Sequence, residues 1–260
     1  MPYLKVNDIK IHYELLGQGK PVLFIHGLGS STRDWEYQTP YFSKNYQVLL
    51  VDLRGHGQTD KPNHPYSVSL FASDIAHVIS TLFPEGVHVV GHSLGGMVAF
   101  QLTVDYPNLV KSLTIVNSGP AVIFPSIKSQ LFFYLRFFDV RLFGMSHMSK
   151  NLAKMLFPEP NQKEFRETFE QRWCENDPKA YTNSLKAFRG WTVMHRLPSI
   201  TCPTLIISAD KDYTPISYKE YYTKLITNAK LKVIENSRHI TIIDQADIFN
   251  EMVDDFLKSQ

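Results

Sequence analysis

The chain has 260 residues, of which 43% are hydrophobic and 20% are charged, a balance typical of a globular protein with a full core. Lys and Arg number 27 against 25 Asp and Glu, and the basic residues are scattered, which argues against nucleic-acid binding. No apolar run approaches the ~18 residues of a membrane span. The length fits one domain, with or without an inserted lobe, and the balanced charge favours a small molecule as its ligand.

Short apolar segments rich in β-branched residues predict most of the strands. A hairpin turning at Asn7-Asp8 comes first, because apolar residues alternate with polar ones between Ile9 and Tyr13. Five later segments are apolar without alternation, as a parallel sheet covered on both faces requires. They are residues 21–25, 47–51, 87–90, 112–116 and 203–207.

Apolar residues at helical spacing lie between and after these strands. One such pattern runs from Leu70 to Leu82, and another runs from Ile248 to Leu257 near the end of the chain. The alternation of strands and helices predicts an α/β protein with helices on both faces of a mostly parallel sheet. In such proteins ligands bind beyond the carboxyl ends of the strands.

The alternation stops between about Ala121 and Ile200, where helical stretches follow one another without a clear strand. We therefore predict a core domain of residues 1–120 and 200–260 and a helical cap of residues 121–199. The first cap helix is rich in phenylalanine, which we attribute to packing of the cap on the core rather than to a ligand wall or a membrane-surface patch. These residues are Phe132, Phe133, Phe137, Phe138 and Phe143.

A serine lies between glycines where a predicted strand gives way to a helix, in the segment Gly91-His92-Ser93-Leu94-Gly95. In this context Gly-x-Ser-x-Gly is typical of a sharp strand-to-helix turn that projects the serine alone at the end of the sheet. The N-terminus of the following helix directs N–H groups at the same spot, which suits a developing oxyanion. The pattern predicts a nucleophile at Ser93.

A serine hydroxyl needs a base, and the base needs an orienting acid, each within hydrogen-bond reach. Two later segments supply these residue types just beyond predicted strands. Asp210 and Asp212 follow one strand, and His239 follows the next. These residues are candidates for a Ser-His-Asp triad, with both aspartates open as the acid.

With these motifs in this order, the chain resembles the α/β-hydrolase superfamily, in particular its cap-bearing branch of esterases, C–C hydrolases, enol-lactonases and haloperoxidase-like enzymes. The motifs are FIHGLGSS at residues 24–31, DLRGHGQTD at 52–60, GHSLGG at 91–96, and the acid and histidine segments. They cover nearly the whole chain outside the predicted cap, and they are specific for the fold but far less so for the substrate. The resemblance implies an eight-stranded α/β-hydrolase sheet with a helical cap insertion.

The resemblance also implies that the backbone amides of Leu28 and Leu94 form an oxyanion hole. We expect the side chains of these two leucines to line the pocket. His26 and His92 belong to the same motifs, but histidines at such positions more often hold loops by hydrogen bonds, so we assign them no catalytic step.

Of the two acids, the resemblance favours Asp212, which precedes the turn containing Pro215, and leaves Asp210 in a supporting position. His239 is then the base. The position after the strand at 112–116, where some relatives carry their acid, reads Asn117-Ser118 and holds no carboxylate.

The predicted function is hydrolysis of a carboxylic ester with a small to medium apolar acyl or alcohol group, through an acyl-enzyme on Ser93, as in carboxylesterases. A C–C bond hydrolase or an enol-lactonase on the same triad stays open, although C–C hydrolases of this branch often carry Trp where this chain has Ile240. Arg189 in the cap could bind a carboxylate-bearing substrate. A small-molecule receptor that retains the triad is the alternative from another class.

The glycine-rich segments GLGSS and GHGQT, within the motifs at residues 24–31 and 52–60, carry no nucleotide-binding fingerprint. Cys174 and Cys202 have no metal-ligand pattern around them. We therefore expect no cofactor and no metal. The two cysteines form no disulfide framework and the N-terminal residues lack a secretory pattern, so we expect reduced thiols in a cytoplasmic protein. The sequence leaves open whether the protein is a monomer or a homodimer.

Overall fold

Eight strands form one sheet in the computed structural model, which describes residues 2–122 and 126–260. They are β1 (Tyr3–Val6), β2 (Ile9–Leu16), β3 (Lys20–Ile25), β4 (Tyr46–Val51), β5 (Val87–His92), β6 (Val110–Val116), β7 (Thr204–Ala209) and β8 (Ala229–Ile234). Their order across the sheet is β1-β2-β4-β3-β5-β6-β7-β8. The pairs β1–β2 and β2–β4 are antiparallel, and the remaining neighbours are parallel. The predicted mostly parallel, eight-stranded α/β sheet is confirmed.

The first hairpin turns where the sequence predicts. Asn7 has a φ of 51°, and Val6 pairs with Ile9 across the two-residue turn. Asparagine tolerates this left-handed conformation better than most residues, which is why it recurs in tight hairpins. The hairpin adds an antiparallel edge to the sheet because β2 also pairs with β4.

Burial explains why the central strands lack alternation. Every residue of β5 and of β7 is buried, so both faces of the sheet are covered there. At the sheet edge, β8 instead exposes Lys230 and Lys232. Lysines on an edge strand discourage pairing with another chain.

Helices connect and cover the strands. They are α1 (Thr39–Phe42), α2 (Val68–Leu82), α3 (Leu94–Asp105), α4 (Ile127–Leu156), α5 (Lys163–Cys174), α6 (Pro178–Lys186), α7 (Ile216–Thr223), α8 (Thr241–Asp244) and α9 (Ala246–Lys258). The side chain of Ser67 caps α2 by accepting a hydrogen bond from the amide of Leu70 at 3.1 Å. The predicted helices near residues 70–82 and 248–257 are confirmed as α2 and α9.

The helices α4, α5 and α6 lie in sequence between β6 and β7, and we call them the helical insertion. The backbone of α4 breaks at Gly144, where φ is 77° and ψ is 179°, a conformation that glycine adopts at little cost. An isolated bridge joins Ala121 to Thr192 near the two ends of the insertion. The division into a core domain and a cap at residues 121–199 stays a prediction.

The phenylalanines of α4 do not all pack as predicted. Phe133 and Phe137 are partly buried against the hydrophobic core, but Phe138 and Phe143 are 53% and 65% exposed, so the packing prediction is wrong for them. A helix buries one stripe of its surface, and neighbouring residues lie about 100° apart around the axis, so these side chains cannot share one stripe. The side chain of Phe132 lies outside the described part of the chain.

Candidate active site

Ser93 lies at the turn from β5 to α3, where the backbone is strained. Its φ of 54° and ψ of −116° fall outside the ordinary strand and helix regions. A side chain at Gly95 would collide with the backbone carbonyl of Ile25 on β3, and one at Gly91 would collide with the carbonyl of Gly95. The turn therefore needs glycines on both sides of the serine, as the Gly-x-Ser-x-Gly pattern predicts.

Hydrogen bonds join Ser93, His239 and Asp212. The Nε2 atom of His239 lies 2.9 Å from the Oγ atom of Ser93, and its Nδ1 atom lies 2.6 Å from Oδ1 of Asp212. Because a carboxylate only accepts hydrogen bonds, the ring proton belongs on Nδ1, and Nε2 can accept the serine proton. The three residues come from the loops after β5, β8 and β7, at the carboxyl ends of the strands.

Asp212 has a second cationic neighbour that the sequence did not indicate. The Nζ atom of Lys219, on α7, lies 2.5 Å from Oδ2 of Asp212, and the two side chains are 0% and 1% exposed. Thr214 donates a further hydrogen bond to Oδ2 at 3.0 Å. Burial raises the pKa of Asp212, but the charges and hydrogen bonds of His239 and Lys219 outweigh it and hold the pKa well below its usual value. Asp212 is therefore ionised throughout the neutral range.

Asp210 supports the backbone near His239 and does not contact the imidazole. Its Oδ1 atom accepts a hydrogen bond at 2.9 Å from the amide of Ser237, two residues before His239. The aspartate that pairs with His239 is Asp212.

Two polar side chains hold the backbone carbonyl of His239. The Nδ2 atom of Asn117 donates to it at 2.9 Å, and Nε2 of His92 lies 2.8 Å from it. The Oδ1 atom of Asn117 accepts a hydrogen bond from the amide of Ala209 at 2.7 Å. Asn117 thus links the loops after β6, β7 and β8, a role that no sequence signal marks.

The two motif histidines hold loops, as predicted. Burial, reinforced by the charge of His239, lowers the pKa of His92 to about 3, so the ring is neutral and its Nε2 proton points at the carbonyl. The Nδ1 atom of His26 lies 2.8 Å from the carbonyl of Gly27, and its Nε2 atom accepts from the amide of Leu53 at 3.0 Å.

The predicted oxyanion donors adjoin Ser93. Leu94 is the first residue of α3, and the first amides of a helix have no acceptor within it. Leu28 follows Gly27, where a Cβ atom would lie 3.3 Å from Cβ of Ser93. The side chain of Leu28 lines the cavity beside Ser93, but that of Leu94 is fully buried in the core. The expectation that Leu94 lines the pocket is wrong, because its side chain packs into the hydrophobic core instead.

A cavity of about 440 Å³ adjoins Ser93 and is lined by residues of both the core loops and the helical insertion. Most of its described lining is apolar or aromatic, which suits a small to medium ligand with an apolar body. The ring of Tyr213 lies 4.2 Å from the ring of His239, measured between centroids. Other lining residues are Met97, Phe133, Leu152, Leu156, Phe188 and Tyr218.

Two charged side chains in this lining have no motif or periodicity that marks them. Asp34 is 4% exposed, accepts a hydrogen bond from Ser30, and has its Oδ1 atom 3.5 Å from Nη1 of Arg172 on α5. Burial raises the pKa of Asp34 to about 6. The second of these two residues is Arg136, on α4.

Within residues 2–122 and 126–260, no group of three or more His, Cys, Asp or Glu side chains is arranged to hold a metal ion. In the same ranges, no helix combines the length and the apolarity that crossing a bilayer requires.

The chain is similar to known hydrolases over nearly its whole length. A family model described as alpha/beta hydrolase fold matches residues 20–246. A curated protein of Azorhizobium caulinodans, provisionally named carbamate hydrolase RutD, is 29% identical over 278 residues that span 97% of each chain. The protein named 3-oxoadipate enol-lactonase 2, from Acinetobacter baylyi, is 24% identical over 261 residues, which span 98% of this chain and 96% of the relative.

Solved structures show the same likeness. An esterase from Exiguobacterium antarcticum matches with a TM-score of 0.92 at 26% identity, over 98% of both chains. The names of these proteins differ in the reaction but share hydrolysis, so the likeness is to hydrolases of this fold rather than to one substrate.

Proposed function

Because the chain belongs to the α/β-hydrolase family, we propose that it hydrolyses carboxylic esters through a covalent intermediate on Ser93. The observation that carries the proposal is the continuous hydrogen-bond chain from Ser93 through His239 to Asp212, beside an apolar cavity. A strained serine turn, an accepting imidazole nitrogen and an ionised acid are the parts that nucleophilic acyl transfer needs.

In the proposed mechanism, His239 takes the proton of Ser93 as the serine oxygen attacks the ester carbonyl. The amides of Leu28 and Leu94 stabilise the oxyanion of the tetrahedral intermediate. His239 then gives its proton to the departing alcohol and leaves an acyl-enzyme. Water, activated by the same histidine, attacks the acyl group and releases the acid. Asp212 holds the imidazole in the required tautomer and stabilises its charged form.

The lining of the cavity supports an apolar, small to medium acyl or alcohol group. Its aromatic and aliphatic side chains favour a hydrocarbon body, and a volume of about 440 Å³ lies at the low end of small-molecule sites. The helices of the insertion would act as the cap over this group and keep it away from bulk water.

Cleavage of a lactone or a C–C bond is the second candidate. The same three residues can attack a lactone carbonyl, and the similarity to the Acinetobacter protein named an enol-lactonase favours this variant. Ile240, which follows the proposed base, lines the cavity and leaves that wall apolar.

The test is steady-state hydrolysis of p-nitrophenyl esters of increasing acyl length by the wild type and by Ser93→Ala. We expect multiple turnovers by the wild type and a loss on the order of 10³-fold or more in the variant, with an optimum length that measures the cavity. Lys224→Met, at an exposed lysine just after α7, is the control variant and should keep the wild-type rate. A folded wild type that stays at background on every ester would contradict ester hydrolysis, and lactones and C–C substrates would be tried next. Binding without turnover of any of these would indicate a receptor.

A further inference from the structure

The ionisable side chains that line the cavity differ in how their charges are compensated. Besides the histidines, the described lining includes Asp34, Arg136 and Asp212. Asp212 pairs with Lys219 at 2.5 Å, and Asp34 has Arg172 at 3.5 Å. Arg136 has no carboxylate within ion-pair distance in the part of the chain that the structure describes. Within the described lining, Arg136 is therefore a positive charge without a carboxylate partner.

Local contacts hold Arg136 in place but leave one of its hydrogen-bond donors, Nε, unmatched. The guanidinium carbon lies 5.3 Å from the centre of the Tyr181 ring on α6, a distance at which a cation is attracted to the ring face. Burial raises the pKa of the Tyr181 hydroxyl, and the positive charge of Arg136 and a hydrogen bond from its side chain oppose that rise. The Nε atom of Arg136 is buried and has no hydrogen-bond acceptor among the described residues. An unmatched buried donor is unfavourable, and a ligand that brings an acceptor removes the penalty.

The neighbours of Arg136 limit where an anion can bind. The rest of the described lining that comes from the insertion is apolar or aromatic and includes Phe133, Leu185 and Phe188. Arg189, the arginine that the sequence suggests for a carboxylate, is exposed and lies outside the described lining. An anion that enters the cavity therefore meets Arg136 as its cationic partner at the insertion.

We propose that the substrate carries a carboxylate at one end of an apolar chain, and that Arg136 binds this carboxylate while the ester lies at Ser93. The inference rests on the proposed ester hydrolysis and adds the substrate class to it. A guanidinium offers parallel N–H donors that fit the two oxygens of a carboxylate, and charge-assisted hydrogen bonds of this kind are stronger than neutral ones. Hydrolysis of such a substrate with one water yields a dicarboxylate and an alcohol.

Matched ester pairs test the proposal. Monoethyl succinate, monoethyl glutarate and monoethyl adipate are compared with ethyl propanoate, ethyl butanoate and ethyl pentanoate, which lack only the carboxylate. Ethanol release is followed for the wild type, Arg136→Gln, Arg136→Lys and the control Arg141→Gln, which alters an exposed arginine of the same helix. We expect the wild type to prefer the anionic member of at least one pair in kcat/KM.

The preference should depend on the charge at residue 136. In Arg136→Gln the ratio of kcat/KM for the anionic ester to that for its neutral partner should fall on the order of 10- to 100-fold, the usual effect of losing one charge-assisted hydrogen-bonded contact. The fall should come mainly from a higher KM for the anionic ester. Arg136→Lys should recover part of the ratio, and Arg141→Gln should keep it. A wild type without preference, or an equal loss on both members in Arg136→Gln, overturns the proposal.

A binding measurement separates this proposal from the proposed reaction. Monoethyl adipate is titrated calorimetrically into Ser93→Ala and into the double variant Ser93→Ala/Arg136→Gln. Weaker binding to the double variant, on the order of 10-fold or more, supports the carboxylate subsite even if the wild type hydrolyses no ester. Equal affinity overturns the subsite even if the wild type is an active esterase.

Discussion

The core loops and the helical insertion meet at the same cavity, and they satisfy their polar groups differently. On the core side, Asn117 uses both ends of its amide, donating to the carbonyl of His239 and accepting from the amide of Ala209. Both carboxylate oxygens of Asp212 are also occupied. These contacts fix the positions of the proposed catalytic groups before a ligand arrives.

The insertion leaves donors open on its cavity side. Among the described residues, Nε of Arg136 and Nε1 of Trp173 are both buried without a hydrogen-bond partner, and both residues line the cavity. On the core side, the buried Oδ1 atom of Asp34 is an acceptor without a hydrogen bond. Under the proposed function, the preorganised loops around Ser93 would carry the chemistry, and the insertion, whose open groups are donors, would select the ligand. Variants on each side, ordered here from the largest expected effect to the smallest, test that division.

His239→Gln should abolish most of the activity, because it removes the proposed base. We expect kcat on p-nitrophenyl esters to fall on the order of 10⁴- to 10⁶-fold. His92→Gln is the matched variant, since His92 hydrogen-bonds the backbone carbonyl of His239 and packs against its ring. Loss of one hydrogen bond should cost about 10-fold. Equal losses in the two variants would contradict the distinction between a proton-transferring and a loop-holding histidine.

Lys219→Met should destabilise the core, because it leaves the buried carboxylate of Asp212 with His239 as its remaining cationic neighbour. Removing one partner of a buried ion pair typically lowers the free energy of unfolding by about 3–5 kcal/mol, which urea denaturation at neutral pH would measure. Lys224→Met, at an exposed lysine just after α7, should change the free energy by less than about 0.5 kcal/mol. A similar small change in both variants would show that Lys219 is not needed to stabilise Asp212.

The pH dependence of the same variant has a defined sign. The folded-state pKa of Asp212 lies below its ordinary value, so its ionised form stabilises the folded protein above the unfolded pKa of about 4. That stability is lost as the pH falls through the lower, folded-state pKa. Without Lys219 the folded-state pKa rises, so the difference between variant and wild type should shrink as the solution is made more acidic.

The sheet could be predicted because each strand carries its signal locally. The apolar run VHVV identifies β5 from its own residues, and the same holds for the other central strands. The pattern ends this strand at Val90, whereas β5 continues to His92, with Gly91 opposite Ile115 and His92 opposite Val116. Glycine and histidine have weak strand propensity, so pairing with β6 extends the strand beyond its local signal.

The candidate site could be predicted only where residues belong to motifs. Ser93 has its glycines beside it, and His239 follows a strand at a recognisable position. Asn117 contacts the backbone of a residue 122 positions away. Lys219 belongs to no motif that separates it from the exposed Lys224, and Arg136 is one of two arginines in its helix. These three residues are distinguished by the groups that surround them in the folded structure, which a single sequence does not reveal.

Asp34→Asn should remove a pH-dependent contribution to the free energy of unfolding. The folded-state pKa of Asp34 is raised to about 6, so its protonated form favours the folded protein fully below the unfolded pKa of about 4, and this contribution disappears as the pH rises to about 6. We expect the wild type to lose about 2–3 kcal/mol relative to Asp34→Asn across that interval. Thermal or urea unfolding of both proteins between these pH values measures the difference, and parallel stability curves would contradict it.

Arg172→Gln should weaken the attachment of the insertion to the core by a smaller amount. Arg172, whose side chain is 16% exposed, pairs with Glu36 at 2.8 Å and lies 3.5 Å from Asp34. It also donates to the backbone carbonyl of Arg33 at 3.1 Å. Losing these contacts should lower the free energy of unfolding by about 1–2 kcal/mol. Arg33→Gln is the matched variant, because it keeps that backbone carbonyl and removes the ion pair between Arg33 and Glu175. The side chains of this pair are 48% and 50% exposed.

An exposed ion pair contributes about 0–1 kcal/mol and is screened by salt, so Arg33→Gln should have the smallest effect of the series. Added salt should abolish the effect of Arg33→Gln and leave most of that of Arg172→Gln, because Arg172 is largely shielded from solvent. If salt removed both effects equally, the insertion would be held to the core by its apolar contacts, and ligand selection by the insertion would depend on packing rather than on Arg172.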